Sequence, residues 1–346
     1  MQRSTFFRYF KIFFSIAISV ALIWWIVLNV DVPEVLKVLK SVKLPIIFLV
    51  FILTIIQSII RAVRWRFLLP DQKDVGKLPL SLLFDSLMLG NFGNFVLPLR
   101  AGEFIRPLML TKYSKVRYPI SLTSVVTERF FDLSMVLILF AVMVASLGEL
   151  PAGMVDGVGK SFADIRHGLS VGACLLSGVA AALFAFIVMG SLCPKFLLKI
   201  ISKTLFIFPQ RVKEVLLKLV ADFLTGTEVL RKPRNLFMVL ILSAGIWILT
   251  IYTYQLTFFA FDGMAGSFWA ALVLTTVLAL GVAAPSAPGF LGVFEVACII
   301  AFAIVGENKE LATSYAIVSH LLQYIIVVGF GVIVLIKYGI KLNDLK

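Results

Sequence analysis

Residues 90–104 read GNFGNFVLPLRAGEF. Three glycines, two asparagines, a proline, an arginine and a glutamate interrupt long apolar runs in a chain that is 60% hydrophobic. Lipid cannot satisfy the backbone groups that such a break leaves open. The stretch is therefore tolerated at membrane depth only where protein buries it or where it lines a wet cavity.

The surrounding sequence is that of a membrane protein. The 346 residues have a mean hydropathy of +1.03 and 15% charged residues, where soluble domains carry about 25%. Ile12–Val30, Leu44–Ile60, Gly168–Cys193, Asn235–Phe261 and Leu311–Ile336 contain no Asp, Glu, Lys or Arg. Each is close to the roughly 20 residues a helix needs to cross a hydrocarbon core. None alternates as a barrel strand would. The fold expected is an all-α polytopic membrane protein.

The basic amino end resembles a signal peptide, but its apolar run is too long and no cleavage site follows Val30, so it reads as a permanent first span. Cys174, Cys193 and Cys298 sit in or at the edge of apolar segments without metal-ligand spacing, which suits free thiols. The net charge of +13 gathers at the ends of apolar spans and so marks topology, with no nucleic-acid partner implied.

Arg3, Arg8 and Lys11 place the amino terminus in the cytoplasm, and Arg61, Arg64 and Arg66 place the end of the second span there, with Trp65 suited to the interface. Residues 61–77 and 100–117 are both basic. Both flanks of the quoted stretch thus belong inside, and residues 78–105 are expected to enter from the cytoplasm, turn and return. Residues 194–234 hold nine Lys or Arg against three acids and are cytoplasmic. Their stripe of Val212, Val215, Leu216, Leu219, Val220 and Phe223 describes a helix lying either on the anionic leaflet or on the rest of the protein. Residues 263–306, broken at APSAPGFLG, form either two spans or a second hairpin entered from outside. The count is about six spans plus two Gly/Pro-broken hairpins, or about eight spans. Lys337, Lys341 and Lys346 place the carboxyl terminus inside. The whole is one transmembrane domain, with pseudo-repeats at 44–147 and 235–338 related by inversion around the 194–234 connection. Matched broken segments of this kind point to a transporter's binding site.

Several polar residues inside this frame need a reason, because an ionised side chain at mid-membrane costs at least ~2.5–3.5 kcal/mol. Glu128, Arg129 and Asp132 (TERFFD) share a helix face. With Arg100, Glu103 and Arg106 they make three cations and three anions, able to pair with one another or to present arginine forks to a phosphate. The plainer alternative is that they pin the hairpin to its neighbour. Asn91 and Asn94 either cap helix ends or bind a headgroup. Gly90, Gly93, Pro98, Gly102, Pro285, Pro288, Gly289 and Gly292 are expected to shape the two turns. Glu295, alone in an uncharged tract, is expected to be functional, and His320 is either satisfied by a neighbour or relays protons with it. No Ser–His–Asp signature, H-E-x-x-H motif, phosphate-binding glycine loop or metal-spaced Cys/His cluster occurs, so neither an enzyme nor a cofactor is expected.

Through RAVRW, NFGNFVLPLRAGEFIRPLML, TERFFD and APSAPGFLGVFE, the chain resembles the lysylphosphatidylglycerol synthase transmembrane-region family, also called flippase-like domain proteins. The resemblance runs over nearly the whole chain. It implies a multi-pass protein of a bacterial or archaeal cytoplasmic membrane that handles amphiphilic lipids. Where such a region is fused to a soluble aminoacyl-transferase domain, it moves aminoacylated phosphatidylglycerol between leaflets. This chain stops at Lys346, just after its last span, and is expected not to make lysyl-lipid itself. Stand-alone relatives are associated with polyprenyl-linked sugar and hopanoid pathways. The expected function is therefore translocation of a phospholipid, an aminoacyl-phospholipid or a polyprenyl-phosphate-linked lipid. The alternative is an accessory subunit presenting a lipid to a separate synthase or glycosyltransferase.

Overall fold

Eleven α-helices make up the described part of the chain: α1 (Val32–Lys40), α2 (Leu44–Phe67), α3 (Leu80–Val96), α4 (Gly102–Tyr113), α5 (Tyr118–Ser146), α6 (Pro194–Thr204), α7 (Gln210–Thr227), α8 (Pro233–Phe258), α9 (Phe268–Ala283), α10 (Val293–Ile304) and α11 (Lys309–Tyr338). The computed structural model describes residues 31–69, 78–97, 100–146, 192–205, 209–264, 266–283 and 287–340, with isolated positions between them. Among the described residues there is no strand. The expected span Ile12–Val30 and all but the last two residues of the expected span Gly168–Cys193 lie outside those segments, as do Pro98 and Pro285.

Local chemistry sets the helix ends. Asp31 caps α1 by accepting the Glu34 N–H at 3.3 Å. Asn308 caps α11 by accepting from the amides of Glu310 and Leu311 at 2.7 and 3.3 Å. Proline lies in the first turn of α1, α2, α6 and α8, where its missing N–H would have had no helical partner. Gly339 ends α11 in the left-handed conformation (φ 60°). Within the helices, Thr54, Ser58, Ser86, Thr127, Thr253 and Thr276 each donate to the carbonyl four residues back. No hydroxyl proton of these side chains is left bare in apolar surroundings.

Among the described residues, four helices are long and apolar enough to cross a membrane: α2, α5, α8 and α11, of 24, 29, 26 and 30 residues. Four shorter helices come as two pairs. α3 and α4 have 17 and 12 residues, or about 25 and 18 Å. α9 and α10 have 16 and 12, or about 24 and 18 Å. Every arm is shorter than the hydrocarbon thickness of about 30 Å. The described arms of the second pair are thus as short as those of the first.

The two hairpins sit at opposite ends of the long helices. One apolar core joins the first hairpin to the end of α2 (Ala62, Trp65), the start of α8 (Val239) and the end of α11 (Val334). The other joins the second hairpin to the end of α8 (Ile251, Phe258), the start of α11 (Ala312, Tyr315) and the end of α5 (Met143, Val144). The hairpin tips approach each other between these cores. The Phe95 ring meets the Phe290 ring edge-on at 5.8 Å. In the connection between the halves, α7 packs on α5, and a Cβ at Gly226 would lie 2.3 Å from the Thr123 methyl. That helix rests on the protein. α6 in front of it keeps Phe196, Ile200, Lys195, Lys199 and Lys203 exposed.

Candidate functional site

The first hairpin closes on glycine. A Cβ at Gly102 would lie 1.7 Å from the Gly90 carbonyl oxygen, and one at Gly93 would lie 2.8 Å from the Gly102 Cα. Gly90 and Gly93 are helical residues of α3, and Gly102 is the first residue of α4. The expectation that these glycines shape the turn is thus corrected: they let the two arms touch backbone to backbone. The turn itself includes Arg100, whose φ of 53° is left-handed, a conformation costing about 1–2 kcal/mol for a residue with a Cβ.

The close crossing brings α4 against α5 and fixes an ion cluster. Arg64 of α2 is fully buried and bridges both acids of TERFFD: it lies 2.7 Å from Asp132 Oδ1 and 2.9 Å from Glu128 Oε1. Its remaining reach goes to the Ser243 hydroxyl at 3.0 Å. Arg106, 2% exposed, pairs with Glu128 Oε2 at 2.8 Å. Its guanidinium lies 3.8 Å over the Trp65 ring, whose indole N–H donates to Ser124 Oγ at 2.8 Å. Arg129 pairs with Glu103 at 3.2 Å and with Asp132 at 3.6 Å. Three arginines thus answer three carboxylates.

Beside the cluster lies a cavity of about 350 Å³. Arg61, Arg100, Glu103, Glu128 and Arg129 line it, along with Gln57, Asn91, Asn94, Thr250, Thr253, Tyr254 and Gln323. Val282 and Phe290 of the second hairpin close one side. Arg100 reaches across to them. Its guanidinium donates to the Val282 carbonyl and stands 5.5 Å from the Phe290 ring centroid. Phe290, like Arg100, is a non-glycine residue with left-handed φ, 62°. They are the only two such residues among those described, one at each tip. Among the described residues, neither Arg61 nor Arg100 has a carboxylate within 4.0 Å. Five arginines in and behind the cavity wall therefore face three acids, an excess of two positive charges.

Glu295 and His320 stand elsewhere. Glu295 Oε2 accepts the Gly292 N–H at 2.7 Å, which caps α10. Its other oxygen lies 2.5 Å from His320 Nδ1, and His320 Nε2 is 2.7 Å from the Gly289 carbonyl. A carbonyl only accepts, so the contact to Gly289 is made by an Nε2–H donor. The chain of contacts fastens the turn formed by Pro288, Gly289 (φ 70°) and Gly292 (φ 81°) to α11. Gly289 and Gly292 both hold left-handed φ values in this turn, while Pro285, expected to shape it with them, lies outside the described residues.

Sequence reasoning placed Arg100, Glu103, Arg106, Glu128, Arg129 and Asp132 together, and the structure gathers them. Asn91 and Asn94 face the cavity, Arg106 and Asp132 stand behind its wall, and Glu295 and His320 do not line it. The expectation that Trp65 sits at the membrane interface is corrected, for Trp65 is fully buried, as is Arg64, which sequence analysis used only as a mark of sidedness. The signal for them was available. Thr54, Gln57, Ser58, Arg61 and Arg64 follow one another at spacings of three, one, three and three, a polar stripe down one face of an otherwise apolar span.

A family model described as the lysylphosphatidylglycerol synthase TM region matches residues 12–331. No curated protein and no solved structure matches the chain.

Proposed function

The chain belongs to the lysylphosphatidylglycerol synthase transmembrane-region family, and from that premise we propose that it carries lipid headgroups between the leaflets of a cytoplasmic membrane. The observation that supports this reading is the cavity of about 350 Å³ at the meeting of the two hairpin tips, walled by three arginines. A volume of that size is at the low end of ligand pockets. It suits a headgroup and leaves no room for acyl chains, which would stay in the bilayer while the headgroup passes. Arg61, Arg100 and Arg129 would bind its phosphate. Glu103 and Asp132 hold Arg129 in place, and Arg64 and Arg106 hold Glu128. The hairpins, seated at opposite ends of the long helices, would open in turn as the two gates of an inverted repeat. Both termini would be cytoplasmic, and the chain would perform no chemistry on the lipid.

The test is transfer of labelled lipids between leaflets in liposomes. Wild-type protein is expected to accelerate it. Arg129→Ala removes the partner of Glu103 and is expected to abolish most of the acceleration. Equal rates for the two proteins would remove the assigned site. Binding of lipid without transfer would favour an accessory role beside a lipid-modifying enzyme or glycosyltransferase.

A further inference from the structure

The distribution of charge around the cavity says more than that a headgroup fits. Glu103, Glu128 and Asp132 are each engaged by Arg64, Arg106 or Arg129 at 2.7–3.6 Å. Arg61 and Arg100 have no carboxylate within 4.0 Å among the described residues, and both line the cavity, so the three acids, already paired, leave an excess of two positive charges there. Arg100 donates to a neutral carbonyl, that of Val282, which answers its hydrogen-bonding need and not its charge. Excess charge at membrane depth is costly, and two like charges facing one cavity repel each other as well. A singly charged phosphodiester would neutralise one of them. A cationic, aminoacylated headgroup would add to the excess.

We propose that the cavity binds a phosphate group bearing two negative charges, a lipid phosphomonoester or diphosphate, in preference to a phosphodiester or an aminoacylated phospholipid. Arg61 and Arg100 supply the two charges, each as a planar fork able to bond two phosphate oxygens at once. Binding also gives Arg100 a better partner than the Val282 carbonyl. The anion therefore competes directly with the contact that ties one hairpin tip to the other, so a bound headgroup loosens the tips. This inference rests on the reading of the cavity as a headgroup site.

The experiment compares lipids with identical acyl chains against the full-length protein in nanodiscs: phosphatidic acid, phosphatidylglycerol and lysylphosphatidylglycerol, with inorganic phosphate as a fourth probe. Phosphatidic acid is expected to bind about tenfold or more tightly than phosphatidylglycerol, with lysylphosphatidylglycerol weakest, as one additional charge-assisted pair implies. Arg61→Gln is expected to erase most of that preference, and Arg61→Lys, which keeps the charge, to retain part of it. Equal affinities for the three lipids, or tightest binding of the lysyl form, overturns the proposal. So does an Arg61→Gln protein that folds and discriminates as wild type does. If Arg61→Gln does not fold, the ranking of the three lipids by wild type decides alone. Inorganic phosphate binding as tightly as phosphatidic acid would assign the site to free phosphate and overturn the lipid half of the proposal. The leaflet assay separates this inference from its premise. Transfer without headgroup preference fails the inference alone, and selective binding without transfer fails the translocator reading alone.

Discussion

The two hairpins have nearly the same size and are built in opposite ways. The first is held by backbone contact and buried charge: arms crossing at Gly90, Gly93 and Gly102, and Arg106 locked between Glu128 and the Trp65 ring. The second packs on an apolar core as the first does, but fastens its turn by one polar chain, from Gly292 and Glu295 through His320 to Gly289, with Tyr324 donating to the Pro288 carbonyl at 3.4 Å. A network of buried ion pairs is costly to disturb, because removing one member strands another. A turn held through one imidazole is released by moving that ring. Of the two proposed gates, we expect the second hairpin to yield more readily and the first to keep its arginines in place around a bound headgroup.

The heaviest blow to the first hairpin is Arg64→Met. It leaves Glu128 with Arg106 alone and Asp132 with only the longer contact to Arg129. Removing one partner of a buried pair costs about 3–5 kcal/mol. Thermal unfolding in detergent is expected to show a loss of that order, with little gained by raising the lipid concentration. A loss below about 1 kcal/mol, the size of an exposed pair, would show that the cluster is solvated and would break the contrast. Next in size is Gly102→Ala, whose methyl would sit 1.7 Å from the Gly90 oxygen. Overpacking costs about 1–3 kcal/mol where neighbours can shift. Here the neighbour is backbone, so the upper end is expected, again by thermal unfolding.

The second hairpin should answer differently. His320→Ala removes the donor to the Gly289 carbonyl and leaves the Glu295 carboxyl with only the Gly292 amide. Stranding such groups costs about 1–3 kcal/mol. The loss is expected to be local: hydrogen exchange should rise across 287–304 and stay unchanged across 80–113. Faster exchange in both hairpins together would mean that the tips move as one body, and the division of labour proposed above would fail.

What the sequence revealed and what it hid follow the same contrast. Charge in an apolar chain is conspicuous, so Arg100, Glu103, Arg106 and TERFFD were legible as one cluster. The turn at Gly289 and Gly292 was legible because glycine and proline punctuate so plainly. Arg64 and Arg66 were not separable by the positive-inside rule, which counts arginines near a span end without regard to face. Two residues apart on a helix, one is fully buried against Asp132 and the other is exposed. Gly90 and Gly93 were misread for a related reason. A glycine that admits a neighbouring backbone and a glycine that bends its own are the same letter. Only the partner, Gly102 twelve residues after the first, distinguishes them.

The smallest predicted effect separates these two uses of glycine on one helix. α11 serves both hairpins, holding the second through the His320 and Tyr324 side chains and meeting the first along its carboxyl half. In that half, a Cβ at Gly331 would lie 2.4 Å from the Phe92 ring of α3, while one at Gly329 would meet nothing within 4 Å. Gly331→Ala is expected to destabilise by about 1–2 kcal/mol, since the Phe92 ring can tilt away but its Cβ, 2.5 Å from the added methyl, moves only with the helix. Gly329→Ala should be neutral or stabilise by up to about 1 kcal/mol, the helix-propensity gain of alanine over glycine. Unfolding midpoints of the two variants, measured side by side, are expected to move in opposite directions or, at the least, to differ in that order. If both fall equally, the carboxyl half of α11 does not grip α3 by close approach, and the rigidity assigned to the first hairpin must come from its ion pairs alone.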